Sequence, residues 1–198
     1  MNCFCLIPVT RPELAQTIIK SAENDGWLVL TKDGKFGAAN TREALFKDAV
    51  SFGAEYVRYA DDDDLCLYPH RQQFCEFLAN SDYDIVYGNF KNTTRDKTVD
   101  IVFSGDYVRD IREGIGIAPW TWVAKAKSLE KLNRIWDSTM AKGQGSWMIL
   151  QAASAGLKIA HLPIEVYHYH RYACRPSITE KPPTLNREQL WSWLDESP

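Results

Sequence analysis

The sequence lacks the features of a membrane-spanning or exported chain. It contains no segment close to the roughly 20 consecutive apolar residues that a helix needs to cross a bilayer. Its opening, MNCFCLIPVTRPE, has no basic stretch before its short apolar run. We therefore expect no transmembrane segment and a cytoplasmic location. The chain has 198 residues, of which 45% are hydrophobic, and this length favours one domain spanning residues 1–198.

Neither a cysteine framework nor an excess of basic charge is present. The cysteines are odd in number and lack CxxC spacing, which fits neither a disulfide scaffold nor a zinc site; they are Cys3, Cys5, Cys66, Cys75 and Cys174. We interpret them as free thiols in a reducing compartment. The formal net charge is −3, so a surface devoted entirely to polyanions is excluded, although local basic patches are allowed.

Short apolar runs alternate with segments of helical periodicity in the first part of the chain. Residues 3–9, 27–31 and 56–60 predict strands, and residues 13–22 and 40–52 predict helices, the second capped by Asn40. This alternation is typical of an α/β fold with a mostly parallel sheet flanked by helices. Because ligands bind beyond the carboxyl ends of such strands, the loops after the three strands should meet at one crevice.

The second part of the chain is less regular. A helix is predicted over residues 70–80, a strand over 85–88, irregular strands over 92–106, a helix over 147–155, strands over 159–162 and 166–172, and a short helix over 186–194.

Four consecutive aspartates, at residues 61–64, follow the third predicted strand. Their carboxylates repel one another, and a helix cap or a turn would use only one or two of them. A solvated acidic turn is one interpretation, and a carboxylate pair that binds Mn²⁺ or Mg²⁺ is the one we favour, because these cations prefer oxygen ligands and bridge proteins to phosphates. An EF-hand is excluded, since the glycine and the bidentate glutamate of its loop are missing.

The segment YADDDDLCLYP at residues 59–69, followed by a helix and by YDIVYG, resembles the DxD region of GT-A fold glycosyltransferases of the large family-two type. IPVTR at residues 7–11 and GAANTREA at residues 37–44 resemble the first-strand loop and the Asn-bearing helix start of that family. GLKI and VYHYHR, within residues 156–171, resemble its closing strands. The resemblance implies a Rossmann-like GT-A fold with a nucleotide-sugar half at 1–90, an acceptor half at 91–172 and a C-terminal loop and helix at 173–198.

The resemblance also implies site residues. Asp61 and Asp63 match the two acids of the DxD motif, with Asp63 as a direct ligand of Mn²⁺ or Mg²⁺ and Asp61 as a metal ligand or ribose partner. A histidine near the chain end can complete this site in the family; His168 and His170 lie two apart on one predicted strand face, and His170 is the first choice. The implied donor-binding residues are Pro8, Thr10, Arg11, Asp33, Asn40, Asp61 and Asp62.

The implied activity is metal-dependent transfer, with inversion, of a sugar from a nucleotide-diphosphate donor, a UDP-sugar being favoured. Inverting members carry a general base, worth roughly 10² to 10⁴ in rate, just before the helix predicted here at 147–155. This sequence reads KGQGS at residues 142–146, without a carboxylate. Asp137 is the candidate substitute base; an acceptor acidic enough to need little help and a weak or inactive transferase are the alternatives.

The acceptor is left open by the sequence. Lys and Arg outnumber Asp and Glu in residues 91–142, whereas the reverse holds in residues 1–90. An anionic glycan or a modified base in DNA is therefore a possible acceptor. A non-catalytic sugar-nucleotide or glycan-binding module would also keep the aspartates while losing the base. A nucleotidyltransferase is disfavoured, because residues 7–12 lack a glycine-rich phosphate loop. Trp120 and Trp122 form either a sugar platform or part of the core.

Overall fold

The computed structural model describes residues 1–64, 66–67, 69–93, 97–139 and 143–170, without the side chains of Phe36, Cys66, Leu67 and His170. The helix predicted at residues 186–194 lies outside this part of the chain. Eight strands are described: β1 Cys3–Val9, β2 Leu28–Asp33, β3 Tyr56–Tyr59, β4 Cys66–Leu67, β5 Ile85–Thr93, β6 Thr98–Ile101, β7 Trp122–Lys125 and β8 Ile159–His170. The α-helices are α1 Pro12–Asn24, α2 Ala38–Ser51, α3 Arg71–Ala79, α4 Tyr107–Arg112, α5 Ala126–Leu129 and α6 Gln144–Ser154.

The strands form one mixed sheet in the order β2-β1-β3-β7-β5-β8-β4, with β6 paired to β5. Strand β1 lies parallel to β2 and β3, and β5 lies parallel to β8. Strand β7 is antiparallel to both β3 and β5 and joins these two groups. Strands β1, β2, β3, β5 and β8 therefore run in one direction, which confirms the predicted α/β class with a mostly parallel sheet.

The hydrophobic core lies on both faces of this sheet. Residues 3–8 of β1 are all buried, as expected for a central strand covered by helices on two sides. Helix α1 begins with Pro12, a residue that suits the first helical turn, and buries Ala15, Ile18 and Ala22. Trp122 is fully buried beside Tyr59, with ring centroids 5.5 Å apart, so it belongs to the core.

Several predicted boundaries differ from the structure. Helix α2 begins at Ala38, because Gly37 precedes it with a φ of 88°, and Asn40 lies in the first turn instead of capping the helix. The two closing strands are one strand, β8, whose pairing with β5 shifts between Gly88 and Phe90. Such an irregularity accommodates Pro163, which has no N–H to donate to the neighbouring strand. Helix α4 and strand β7 were not predicted.

Candidate functional site

The loops that follow β1, β2 and β3 meet at one edge of the sheet. The Thr10 and Arg11 N–H groups, after β1, donate to Asp62 Oδ2, after β3, at 2.5 and 2.6 Å. The turn after β2 touches the same loop, since a Cβ on Gly34 would lie 2.4 Å from Thr10 Cγ2. The carboxyl ends of three parallel strands thus bring together the loops that carry most of the predicted donor residues.

Asp62 anchors the loop after β1. Its side chain is buried, with a relative exposure of 2%. Besides the two N–H groups, Oδ2 accepts from the Thr10 hydroxyl at 2.9 Å, and Oδ1 accepts from Arg11 Nε and Nη2 at 3.2 and 2.5 Å. Both carboxylate oxygens of Asp62 therefore accept hydrogen bonds from the loop after β1.

Asp61 and Asp63, the two acids of the DxD pattern, are the partly open members of the run. Their side chains are 28% and 23% exposed, in contrast to those of their neighbours. Asp61 pairs with Arg42 Nη2 at 2.5 Å, and Asp63 pairs with Arg11 Nη1. Burial raises the pKa of Asp63, and the nearby charge of Asp61 raises it further. The two carboxylates therefore interact electrostatically.

Strand β8 holds the other end of the aspartate run through Tyr167. The Tyr167 hydroxyl donates to Asp64 Oδ2 at 2.6 Å and accepts from the Asp61 N–H at 3.2 Å. The ring stacks on Trp120, with centroids 4.5 Å apart. Burial raises the pKa of Tyr167, so the phenol stays protonated and can donate. Asp64 is 2% exposed and is, like Asp62, a fixed internal acceptor.

Arg42 connects the aspartate run to helix α6. Its Nη1 donates to Gln144 Oε1 at 3.1 Å, while its Nη2 pairs with Asp61. The guanidinium lies over the Trp136 ring, 5.2 Å from the centroid, and the residue is only 7% exposed. Gln144 lies in the segment where the sequence resemblance led us to expect a general base. The structure therefore places this segment beside the aspartates, with an amide where an acid was expected.

Arg11, which was predicted to bind the donor, and Arg42, which the sequence did not single out, provide a cationic counterpart to the aspartates. The four adjacent negative charges are offset in part by two guanidinium groups, and the site as a whole keeps an excess of negative charge. Among the described residues, no group of three His, Cys, Asp or Glu side chains is arranged to hold a metal ion. Asp61 and Asp63 nevertheless suit Mg²⁺ or Mn²⁺ chemically, because such ions often bind one or two carboxylates and take their other ligands from phosphates and water.

Of the two histidines predicted to complete a metal site, the structure describes the side chain of His168 alone. His168 Nε2 lies 2.7 Å from Thr93 Oγ1 on β5. Since successive side chains of a strand alternate in direction, His168 faces away from the side on which Tyr167 reaches the aspartates. The side chain of His170, the first choice, lies outside the described part of the structure, so its assignment stays a prediction.

The other predicted residues lie around the crevice or beside α6. Pro8 is buried in β1, and Asn40 is exposed in the first turn of α2. Asp33 is exposed and pairs with Lys35, which lowers the pKa of its carboxyl. Asp137 accepts hydrogen bonds from the Thr139 hydroxyl and N–H at 2.7 and 2.8 Å, and these bonds lower its pKa. The lowered pKa makes Asp137 a weaker base than an ordinary aspartate.

Comparisons with known proteins identify the fold. No family model matches the sequence, and no curated protein does. Solved structures do match. S. aureus TarS 1–349 in complex with UDP-GlcNAc has a TM-score of 0.73 at 10% identity, over 98% of this chain and 64% of that one. The same TarS fragment in complex with UDP has a TM-score of 0.68 at 12% identity, over 86% and 61% of the two chains.

A third match is A197 from STIV, with a TM-score of 0.57 at 16% identity, over 89% of this chain and 98% of that one. This chain therefore has a GT-A-like α/β fold and spans slightly less than two thirds of the TarS fragment. Among the described helices, none has the length and apolar character needed to cross a membrane. The cytoplasmic location and the division of residues 1–198 into two halves and a tail stay predictions.

Proposed function

We propose that the chain is a glycosyltransferase of the family-two type that takes a sugar, with inversion, from a nucleotide-diphosphate donor and binds Mn²⁺ or Mg²⁺ at Asp61 and Asp63. One observation carries this proposal: the two DxD carboxylates are partly open at the crevice, while Asp62 and Asp64 are buried in hydrogen bonds that fix the loop. The fold shared with TarS, which was crystallised with UDP-GlcNAc and with UDP, supports a UDP-sugar donor.

The loops after β1 and β2 are suited to receive the nucleotide. Thr10 and Arg11 are held in place by Asp62, so their positions need little ordering when a ligand arrives. Asp33 stands at the turn after β2 and can accept from an N–H of the base. Pro8 and Asn40 would support the same region from β1 and α2.

The proposed catalysis is electrostatic. The diphosphate leaving group gains negative charge as the glycosidic bond breaks, and a divalent ion held by Asp61 and Asp63 would stabilise that charge more in the transition state than in the ground state. Arg11 and Arg42 stand next to these carboxylates and add fixed positive charge. Asp62 and Tyr167 keep the loop in position, so that the carboxylates need not reorganise during the reaction.

Asp137 remains the proposed base. Its backbone oxygen accepts from Gln144 Nε2 at 3.4 Å, which places it close to the start of α6. A second candidate function follows from Gln144 itself: a module that binds a sugar nucleotide without transferring the sugar would need no acid there. Slow hydrolysis of UDP-GlcNAc in the presence of Mn²⁺ would favour the enzyme, whereas binding without any turnover would favour the module.

Calorimetric titration tests the donor site. UDP and UDP-GlcNAc, each with and without Mn²⁺, are titrated into the wild-type chain and into Asp63→Asn. We expect Mn²⁺ to strengthen wild-type binding and the substitution to remove most of that gain, at least about tenfold, because one anionic ligand is lost.

Asp82→Asn is the matched control. Asp82 is an exposed aspartate paired with Lys158 and lies just before β5, at the opposite end of the sheet from the carboxyl ends of the strands. This variant should bind like the wild type. Equal metal-dependent affinity of Asp63→Asn and the wild-type chain would overturn the assignment of Asp63.

A further inference from the structure

Two cysteines of the donor half are in direct contact in the core. The Sγ atoms of Cys3, in β1, and Cys75, in α3, lie 3.3 Å apart. The two residues are 2% and 0% exposed, so the two sulfurs contact each other inside the core. A disulfide has an S–S distance of about 2.05 Å, and closing this pair requires an approach of roughly 1 Å between a strand and a helix.

A fixed positive charge lies beside the pair. Arg71 Nη1 is 3.7 Å from Cys3 Sγ. Arg71 is itself held by Asp25, whose carboxylate accepts from its N–H at 3.0 Å and whose backbone oxygen accepts from its Nε at 2.8 Å. The hydrogen bond from Cys75, together with Arg71, lowers the pKa of Cys3 to about 7. The thiolate is the nucleophilic form of a cysteine, so the lowered pKa favours reaction at Cys3.

Cys5 provides the contrast. It lies two residues along the same strand and is also fully buried, but burial raises the pKa of its thiol to about 12. At neutral pH this thiol stays protonated and unreactive. The two cysteines of β1 thus share their burial and differ in the groups around them, which makes Cys5 a matched control for Cys3.

We propose that Cys3 and Cys75 are a redox modification site that closes to a disulfide on reaction with a peroxide. The Cys3 thiolate attacks one peroxide oxygen, the O–O bond breaks, and the products are a Cys3 sulfenic acid and hydroxide. The Cys75 sulfur then attacks the sulfenic sulfur, the S–O bond breaks, and the departing hydroxyl takes the Cys75 proton to leave as water. Two thiols lose two electrons in total, and hydrogen peroxide is reduced to two waters.

The cross-link would tie together the part of the chain that carries the donor site. The closed loop runs from residue 3 to residue 75 and includes Thr10, Arg11, Arg42 and the aspartate run. A loop of this length restricts the unfolded chain strongly, and we expect the melting temperature to rise by about 10 °C on oxidation and to return on reduction. The expected effect concerns stability and does not depend on the function proposed above.

Thiol counting and peptide mapping test the proposal. The reduced folded protein is treated with a small excess of hydrogen peroxide, quenched, denatured and titrated for thiols. We expect the count to fall from the five cysteines of the chain to three, with the loss of two hydrogens by mass spectrometry and a linked pair of peptides that contain Cys3 and Cys75. Cys5→Ala should still lose two thiols and gain thermal stability.

Cys75→Ala and Cys3→Ala should each fail to form this cross-link. Both variants are made so that the test still stands if one of them folds poorly. The proposal is overturned if the wild-type protein keeps all five thiols after peroxide treatment, if the linked peptides contain another cysteine, or if Cys5→Ala prevents the reaction. No nucleotide enters the measurement, so a negative result here is distinct from a failure to bind UDP.

Discussion

At the level of single residues, the aspartate run contains two different kinds of carboxylate. Asp62 and Asp64 are buried acceptors that fix the loop, and Asp61 and Asp63 keep about a quarter of their side chains open. A stretch of like charges is tolerated because every carboxylate accepts from a donor: Arg11 serves both Asp62 and Asp63, Arg42 serves Asp61, and Tyr167 serves Asp64. Asp62 and Asp64 thus stabilise the loop, whereas Asp61 and Asp63, which alternate with them, are the proposed metal ligands.

Asp62→Ala should destabilise the fold more than the loss of an exposed aspartate would. The substitution leaves the Thr10 and Arg11 N–H groups without their acceptor and removes the main partner of the Arg11 side chain. We expect the free energy of unfolding to fall by about 2–4 kcal/mol, since buried, charge-assisted hydrogen bonds are lost together. Urea unfolding followed by tryptophan fluorescence measures this change.

Asp82→Ala serves as the control for this measurement, because its ion pair with Lys158 lies on the surface, and its unfolding midpoint should stay close to that of the wild type. If the two variants unfold at the same urea concentration, Asp62 does not anchor the loop.

The sequence predicted some of these residues and missed others for a physical reason. Asp61 and Asp63 belong to a local pattern, and their loop follows an apolar strand that can be recognised from periodicity. The contacts of Arg42 with Gln144 and of Tyr167 with Asp64 join residues more than 100 positions apart. Nothing in the local sequence of Arg42 indicates such a partner. For Tyr167, alternation along β8 offered a signal, because the residue next to His168 in a strand faces the other side of the sheet.

At the level of elements, the start of α6 is defined by close packing against the loop before β7. A Cβ on Gly145 would lie 2.2 Å from the Ile117 backbone oxygen and 2.8 Å from Pro119 N. The Ile117 N–H donates to Ser146 Oγ at 3.1 Å. The first turn of α6 and residues 117–119 therefore behave as one packed unit, and the position of Gln144 depends on it.

Gly145→Ala should loosen this unit. The added methyl group meets backbone atoms, which cannot turn aside as a flexible side chain would, so we expect a loss of about 1–3 kcal/mol in the free energy of unfolding. Gly116→Ala is the matched control, since its added Cβ would lie 3.6 Å from Ser146 Oγ, an ordinary contact distance. Thermal unfolding of both variants measures the difference. A Gly145→Ala protein as stable as Gly116→Ala would contradict the packing described here.

The elements that were predicted correctly are those whose own sequence pattern determines them. Strand β1 is an apolar run, β3 is apolar except for Arg58, and α1 has a clear buried face, so the sequence pattern identified all three. Helix α4 was missed even though Asp106 accepts from the Val108 and Arg109 N–H groups as a helix cap does, because its six residues are too few to establish a period. Strand β7 was missed because its position between β3 and β5 is set by tertiary pairing.

At the level of the whole molecule, Arg42 joins the two halves that the sequence predicted. Helix α2, which carries Arg42, and the aspartate run after β3 belong to residues 1–90, and α6, which carries Gln144, belongs to residues 91–172. One guanidinium, stacked on Trp136 and almost fully buried, contacts both partners. The effects of substitutions at Asp61 and at Gln144 on the free energy of unfolding should therefore depend on each other, because both side chains contact Arg42.

A double-mutant cycle of Arg42→Met and Gln144→Met measures this connection. Arg42→Met alone should lower the free energy of unfolding by about 1–3 kcal/mol, a range reduced from that of a fully buried pair because Asp61 is partly exposed. Gln144→Met alone should cost less, since it removes one hydrogen bond. If the bond between the two side chains contributes as described, the double variant should be more stable than the sum of the single effects predicts, by about 0.5–1.5 kcal/mol.

The control cycle combines Gln144→Met with Arg109→Met, which removes an exposed ion pair with Glu113. The effects of these two substitutions on the free energy of unfolding should be strictly additive. Additive effects in the Arg42 cycle would mean that the two halves hold their positions independently, and that the link between the aspartate run and α6 lies elsewhere in the chain.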